Sequence, residues 1–283
     1  MIFESIGKKL AFKLSTIAVF ISGFLYNKDF LFELPIYQVG KYLLILLLLF
    51  LSMFIVVTRF SFKFPLDNRG PLVQKFLFIA LYVLSGIVFI AFFPLLSLYF
   101  KLVYLLLFSF GFYILLLAIN IFVVSEEKGS LIPLVQPSRM VVSLAFLAVI
   151  FLGSTVIYKI QIFQDYEIIS SIARFTLFLS FFYALFYSVF WYVVSGYSKV
   201  GQFTVDLARV NWVLIASFVA LGQIAYLLSF VPLESYGRAL ILTSHAYVFL
   251  IFSQLYSRHL FVRRDGVKFV LIIVSVYFLV SFM

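Results

Sequence analysis

Charged residues are scarce in this 283-residue sequence. They make up 11% of it, against 65% hydrophobic residues, and the mean hydropathy is +1.19. Soluble domains carry about 25% charged and roughly 45–50% apolar residues. A water-soluble fold could not cover so much apolar surface with so few charges. The composition therefore predicts an integral membrane protein.

Cysteine is absent and histidine nearly so. The lack of cysteine excludes disulfides, thiolate nucleophiles and Cys-ligated metals. Of the two histidines, His245 and His259, only His245 lies in an apolar run, so one chain cannot supply two axial ligands to a buried haem. Motifs for a His-Glu-x-x-His zinc site, a G-x-S-x-G elbow and a P-loop are also missing. We expect neither a cofactor nor a metal.

Acidic side chains are missing from the apolar runs. All eleven fall in the N-terminal segment or in connecting loops. Proton pumps and many cation-coupled carriers use carboxylates inside the membrane, as do intramembrane aspartyl proteases. The sequence argues against these classes.

Uncharged runs of suitable length mark the candidate spans. A helix needs about 20 apolar residues to cross the hydrocarbon core. The runs predict an all-α, polytopic transmembrane helix bundle of eight or nine spans, forming a single domain over 1–283. The first and last runs are the weakest candidates. The candidate spans are 10–27, 42–58, 76–96, 102–124, 140–158, 174–195, 212–232, 239–257 and 268–283.

Basic residues predict the orientation. The formal charge is +10, and the bases lie in short loops between apolar runs, which favours anionic lipid over nucleic acid as a partner. With nine spans and a cytoplasmic N-terminus, the cytoplasmic side receives 15 Lys and Arg residues and the opposite side 6. The positive-inside rule therefore predicts a cytoplasmic N-terminus. We expect a cell membrane, either plasma or inner.

The sixth span carries a polar stripe. Its members recur every three or four residues, so they share one helical face. We expect this face to turn toward the bundle interior, where it either makes interhelical hydrogen bonds, each worth about 0.6–2 kcal/mol, or lines a substrate path. The stripe consists of Thr176, Ser180, Tyr183, Tyr187, Trp191 and Ser195.

Few other polar side chains lie inside spans. Asn120 lies in the fourth span, Gln223 in the seventh and His245 in the eighth. Each is either a packing donor or acceptor, or a functional group, because polar residues in hydrocarbon require a partner. Combined with the stripe, they predict an intramembrane polar cavity. Its candidate residues are Asn120, Ser180, Tyr183, Tyr187, Trp191, Gln223 and His245.

The loop over 125–139 predicts a contact with a partner protein. It reads Ser125-Glu126-Glu127-Lys128-Gly129-Ser130-Leu131, with Pro137-Ser138-Arg139 at its end. Over about 15 residues it resembles the cytoplasmic stretch of ABC-2 type permeases, which touches an ATPase. That family places the stretch after the second span, whereas here it follows the fourth. The alternative is a capped turn, with Ser125 before two acids at a helix start.

The sequence is compatible with three functions. The first is a non-enzymatic, permease-like transport subunit or an accessory part of a membrane assembly. The second is a membrane-embedded enzyme acting on a lipid or a lipid-linked substrate, and the third is a structural scaffold. The enzyme would need polar groups at the interface, for which the candidates are Glu126 with Glu127, Asp165 with Glu167, and Asp206 with Arg209.

The predicted orientation can be tested with single cysteines, because the natural chain has none. Cysteines replacing Arg69 and Ser130 should resist an impermeant thiol reagent in intact cells, since both positions are predicted to be cytoplasmic. A cysteine replacing Asp165 should be labelled. Labelling of Ser130→Cys from outside would reverse the orientation.

Overall fold

The described residues of this computed structural model are 2–27, 69–91, 97–128, 135–159, 167–195, 207–257 and 263–281. Within these ranges the chain forms eight α-helices and no strand, which confirms the all-α prediction there. The predicted second span, 42–58, lies outside them. The helices are α1 (Ile2–Asn27), α2 (Arg69–Ala91), α3 (Leu98–Lys128), α4 (Val135–Lys159), α5 (Glu167–Ser195), α6 (Leu207–Ser229), α7 (Ser235–Ser257) and α8 (Arg263–Ser281).

Four of these helices contain a segment long and apolar enough to cross a membrane. The segments are Tyr99–Phe122 in α3, Pro137–Lys159 in α4, Ile172–Val189 in α5 and Trp212–Ser229 in α6. Shorter apolar segments occur in α1, α2 and α8. The chain is thus an integral membrane protein by the length and composition of its helices, while the count of eight or nine spans and the orientation stay predictions.

The chain divides into two compact units. Unit 1 comprises Met1–Ala145 and unit 2 comprises Phe146–Met283, so the boundary falls within α4. In unit 1, α1 packs against α2 and α3, and α2 also contacts α3. In unit 2, each helix from α5 to α8 packs against the next one along the chain. The single domain over 1–283 stays a prediction.

Stacked aromatic rings and a glycine join α2 to α3 in unit 1. The ring of Phe108 lies between Tyr82 and Tyr104, with centroid distances of 4.8 and 5.8 Å and interplanar angles of 8° in both cases. The hydroxyl of Tyr104 donates a hydrogen bond to the carbonyl oxygen of Gly86 at 3.0 Å. A Cβ at Gly86 would overlap the ring of Phe108. The missing side chain therefore lets the two helices approach closely, as small residues do in membrane helices.

Hydroxyl groups within the helices bond to the helix's own backbone. Ser15 donates to Ala11 at 2.9 Å, Thr155 to Phe151 at 2.7 Å, and Ser217 to Val213 at 2.7 Å, in each case to the carbonyl oxygen four residues earlier. This local bond satisfies a hydroxyl without a partner helix. A serine or threonine in an apolar run is therefore weak evidence for an interhelical contact.

Replacing Gly86 by alanine should destabilise the protein, because the stacked ring of Phe108 has Tyr82 and Tyr104 on either side and cannot move aside easily. Overpacking of this kind costs about 1–3 kcal/mol. The melting temperature of the detergent-solubilised protein should fall. Gly266→Ala is the matched control, since nothing lies within 4 Å of a Cβ at that position. Equal effects of the two substitutions would contradict the packing described here.

Candidate functional site

The polar stripe of α5 faces away from the core of its unit. Phe182 is 0% exposed, whereas Tyr183 is 57% and Tyr187 39% exposed. Thr176 and Ser180 are exposed as well. The prediction that the stripe turns toward the bundle interior is therefore wrong for these four residues. The side chains of Trp191 and Ser195 lie outside the part of the chain that the structure describes.

Ring packing explains this rotation of α5. Phe178 lies 4.8 Å from Tyr158 and 5.9 Å from Phe182, between ring centroids, and Phe186 meets Phe146 edge-on at 5.4 Å. In lipid, helices associate through van der Waals packing rather than a hydrophobic driving force, and large rings supply the most contact. The hydroxyl of Thr176 in the stripe needs no partner on another helix, because it donates to the carbonyl oxygen of Ile172 at 2.9 Å within its own helix.

The other predicted cavity residues lie in both units. Asn120 is in unit 1, where its buried Oδ1 has no hydrogen-bond partner among the described residues. Gln223 is an exposed residue of α6 in unit 2. His245 in α7 places Nδ1 2.9 Å from the carbonyl oxygen of Ile241, and because a carbonyl only accepts, Nδ1 carries the proton. A cavity that combines these residues stays a prediction.

The carboxylates predicted for an enzyme lie where the structure gives no side-chain description. These carboxylates are Asp165, Asp206, Glu126, Glu127 and Glu167. The side chain of Arg209, the predicted partner of Asp206, also lies outside the description. Across the described ranges, no group of three His, Cys, Asp or Glu residues could hold a metal ion.

A cation–aromatic cluster that sequence reasoning missed lies at one end of unit 2. Tyr158, near the C-terminal end of α4, is 7% exposed and donates from its hydroxyl to the carbonyl oxygen of Ala225 in α6 at 2.9 Å. The guanidinium carbon of Arg238, in the first turn of α7, lies 5.6 Å from the centroid of the Tyr158 ring. One tyrosine thus connects α4, α6 and α7, and it stacks a cation on its face.

The charge of Arg238 is held in a partly buried place just before the predicted span 239–257. Burial lowers the pKa of Arg238, Tyr158 raises it, Arg174 lowers it and Glu234 raises it. These influences place one further cation and one carboxylate within electrostatic range. Arginine remains protonated in such surroundings, so this end of the unit carries a fixed positive charge.

Two polar atoms of this cluster lack partners. The Oγ of Ser235 and the Nε of Arg238 are buried, and neither has a hydrogen-bond partner within the described ranges. Ser235 is only 9% exposed. Leaving a buried donor unsatisfied costs about 1–3 kcal/mol, and more for a charged group. Two such atoms three residues apart on one helix indicate a place where a ligand with acceptor oxygens would be stabilised.

An apolar pocket opens beside the cluster. Its volume is about 400 Å³, within the range of about 300–1,000 Å³ that is usual for ligand pockets. Tyr277 of α8 lines it and interacts electrostatically with Tyr158. The Tyr277 ring also meets His245 edge-on at 5.8 Å. The pocket is lined by Ile224, Leu227, Leu228, Val231, Leu233, Ile241, Tyr277 and Val280.

The sequence carried only a faint signal for this site. Tyr158 and Arg238 each appear at the edge of a candidate span, where aromatic rings and long cations commonly mark the headgroup level. Nothing in their 80-residue separation indicates that they meet. The pocket depends on α6, α7 and α8 together, so no single stretch of sequence could predict it.

The rotation of α5 can be tested with two substitutions by leucine. Phe182→Leu should lower the melting temperature of the solubilised protein more than Ser180→Leu does, because Phe182 is fully buried and Ser180 is exposed. Truncating a buried ring costs on the order of 1–3 kcal/mol by the lost contacts and the void left behind. A larger effect of Ser180→Leu would restore the inward-facing stripe.

Comparison with known proteins gives no family for this chain. It matches no protein-family model, and no curated protein or solved structure matches it either.

Proposed function

We propose that this chain is a non-enzymatic, multi-pass membrane protein whose second unit binds a membrane amphiphile, acting as a lipid-handling subunit in transport or in another membrane assembly. The observation that carries the proposal is the apolar pocket of about 400 Å³ beside the Tyr158–Arg238 cluster. An amphiphile likewise combines an apolar tail, which matches the pocket, with a polar head, which matches the cluster.

The lining of the pocket suits a hydrocarbon tail. Seven of the eight lining residues are aliphatic, and the exception, Tyr277, contributes a ring with one hydroxyl. Such a cavity offers a tail van der Waals contact without requiring polar groups to be desolvated. A sugar, a nucleotide or a free ion would find almost no hydrogen-bonding partner on these walls.

The position of the pocket suits the headgroup level of a membrane. It lies at the end of unit 2 where α4 and α6 end and α7 begins, with Tyr158 and Arg238 next to it. Tyrosine and arginine favour this level because each combines an apolar body with a polar tip. With the N-terminus in the cytoplasm, as the distribution of basic residues predicts, this end faces the outside of a cell membrane.

A binding role accounts for the site better than catalysis does. His245, whose ring meets the pocket residue Tyr277 edge-on, uses Nδ1 on the backbone of its own helix, and no His, Asp or Glu is among the residues that line the pocket.

The segment 125–139 is helical at both ends, since α3 continues to Lys128 and α4 begins at Val135, so Ser125 lies inside α3 and does not cap a helix start. Its resemblance to the ATPase-contacting stretch of ABC-2 type permeases supports a subunit role through a protein partner on the predicted cytoplasmic side.

Filling the pocket should reduce lipid binding. Val231→Trp places an indole among the lining residues, so the protein should retain several-fold fewer lipid molecules, as counted by native mass spectrometry of the purified chain. Phe230→Trp is the matched control, because Phe230 is adjacent in sequence, 64% exposed and outside the pocket lining. It keeps an aromatic ring against Tyr226, whose centroid lies 5.0 Å away.

Equal lipid retention by both tryptophan variants would contradict the proposal. Melting temperatures close to that of the natural chain should accompany the result, since Val231 is 38% exposed and lies in a turn rather than in a helix. A loss of lipid with both variants would instead assign the binding to the outer surface of this turn.

A further inference from the structure

The first turn of α7 carries several hydrogen-bond donors within four residues. Glu234 precedes the helix, and its carbonyl oxygen accepts the first helical hydrogen bond, from the amide of Arg238 at 3.1 Å. The amides of the intervening residues, Ser235, Tyr236 and Gly237, have no acceptor within the helix. They also form the positive end of the helix dipole of a 23-residue helix. This turn therefore favours an anion.

Two side chains add donors of different kinds to the same turn. Ser235 is more than nine-tenths buried, and its Oγ has no hydrogen-bond partner among the described residues. The Nε atom of Arg238 is also buried and also lacks a hydrogen-bond partner there. Ser235 and Arg238 are three residues apart and so lie side by side on α7. A hydroxyl, a guanidinium and a helix N-terminus together exceed what an isolated helix end offers.

The balance of charge at this turn is positive. Arg238 and Arg174 lie within electrostatic range of each other, and among the described residues the carboxylate that acts on Arg238 is that of Glu234, an exposed residue. Arg238 is also stacked on the ring of Tyr158, which holds the guanidinium in place without using its hydrogen-bond donors. An anion placed here would be attracted by two cations and repelled by one carboxylate at the surface.

The apolar pocket continues from the same turn. Leu233 and Ile241, which both line the pocket, precede and follow Arg238 in sequence. Ile241 lies three residues after Arg238, on the neighbouring position of the helix face. A Cβ at Gly237 would lie 4.0 Å from Leu233 and 3.2 Å from Val280, which is one more lining residue. A head bound at the first turn is thus within reach of a tail bound in the pocket.

We propose that the first turn of α7, with Ser235 and Arg238, binds the phosphate group of an anionic phospholipid whose tail occupies the adjacent pocket, an inference that rests on the proposed lipid-binding function. A phosphate offers several acceptor oxygens in tetrahedral directions, which matches donors arriving from a helix end, a hydroxyl and a guanidinium. Arginine and helix N-termini are both common phosphate ligands.

The test compares two lipids that differ only in the phosphate. The purified full chain is titrated with dioleoyl phosphatidic acid and with dioleoylglycerol, and bound lipid is counted by native mass spectrometry. The natural chain should prefer phosphatidic acid. Arg238→Gln should reduce that preference about tenfold, because a charge-assisted hydrogen bond is lost, and binding of dioleoylglycerol should not change.

Three further variants sharpen the result. Ser235→Ala should reduce the preference about threefold, and it removes one hydroxyl only, so it decides the matter if Arg238→Gln fails to fold. Arg238→Lys should restore part of the preference, because it keeps the charge and loses the planar fork. Lys268→Gln is the control: it removes one positive charge from an exposed residue of α8, twelve residues from Val280 and hence about 18 Å along the helix.

Inorganic phosphate separates a lipid headgroup from a free anion. One outcome is that phosphate binds to Val231→Trp as well as it does to the natural chain and fails to bind to Arg238→Gln. In that case the phosphate site is confirmed, and its ligand is the free ion. If phosphate binds weakly and phosphatidic acid needs both the pocket and Arg238, the source is lipid.

Each proposal has its own contradicting outcome. An unchanged preference for phosphatidic acid in both Arg238→Gln and Ser235→Ala would overturn the phosphate site and leave the pocket intact. Unreduced binding of dioleoylglycerol to Val231→Trp would instead overturn the lipid pocket, whatever Arg238→Gln shows.

Discussion

Hydrocarbon offers a polar group no water with which to form hydrogen bonds, and this constraint shapes the described parts of the protein. Backbone groups satisfy it by forming helices. Side-chain hydroxyls satisfy it mostly within their own helix, as Ser15, Thr155 and Ser217 do by donating to a carbonyl four residues earlier. Once polar groups are satisfied locally, they no longer determine which way a helix faces.

Aromatic packing then decides the contacts between helices. In unit 1, Phe108 stacks between Tyr82 and Tyr104 over the open backbone of Gly86. In unit 2, the rings of Phe178 and Phe186 hold α5 against Tyr158 and Phe146 of α4 while Tyr183 remains exposed. Rings supply much contact area with few degrees of freedom, so a chain with 39 Phe and 18 Tyr residues can build specific helix contacts without polar bonds.

The end of unit 2 departs from this pattern. There Tyr158 bonds to another helix, Arg238 is partly buried, and the Oγ of Ser235 lacks a partner among the described residues. Groups left unsatisfied at a boundary between apolar and polar surroundings are costly for folding alone. Their position beside an apolar pocket is the basis of the proposed lipid site, because a ligand with a charged head and a hydrocarbon tail would satisfy both parts at once.

Some features of the site could be predicted from single residues and others could not. The scarcity of charge was sufficient to predict membrane helices, and the absence of cysteine and of metal-binding motifs excluded whole classes of chemistry. The polar stripe of α5 led to a wrong rotation, because periodicity reports which residues share a face and not which face packs. Ser180 and Phe182 are both parts of regular patterns, and only the contacts show that the ring is buried.

The sequence by itself determined that this protein resides in a lipid membrane, and it determined the positions of most of the described helices. Both depend on local composition, because transfer into lipid is summed over about 20 residues. The tertiary structure alone decided that Tyr158 and Arg238 meet, that Ser235 is buried and that α6, α7 and α8 line one open pocket. Those contacts join residues far apart in the chain, and they depend on the shapes of side chains packed between helices, which no local pattern records.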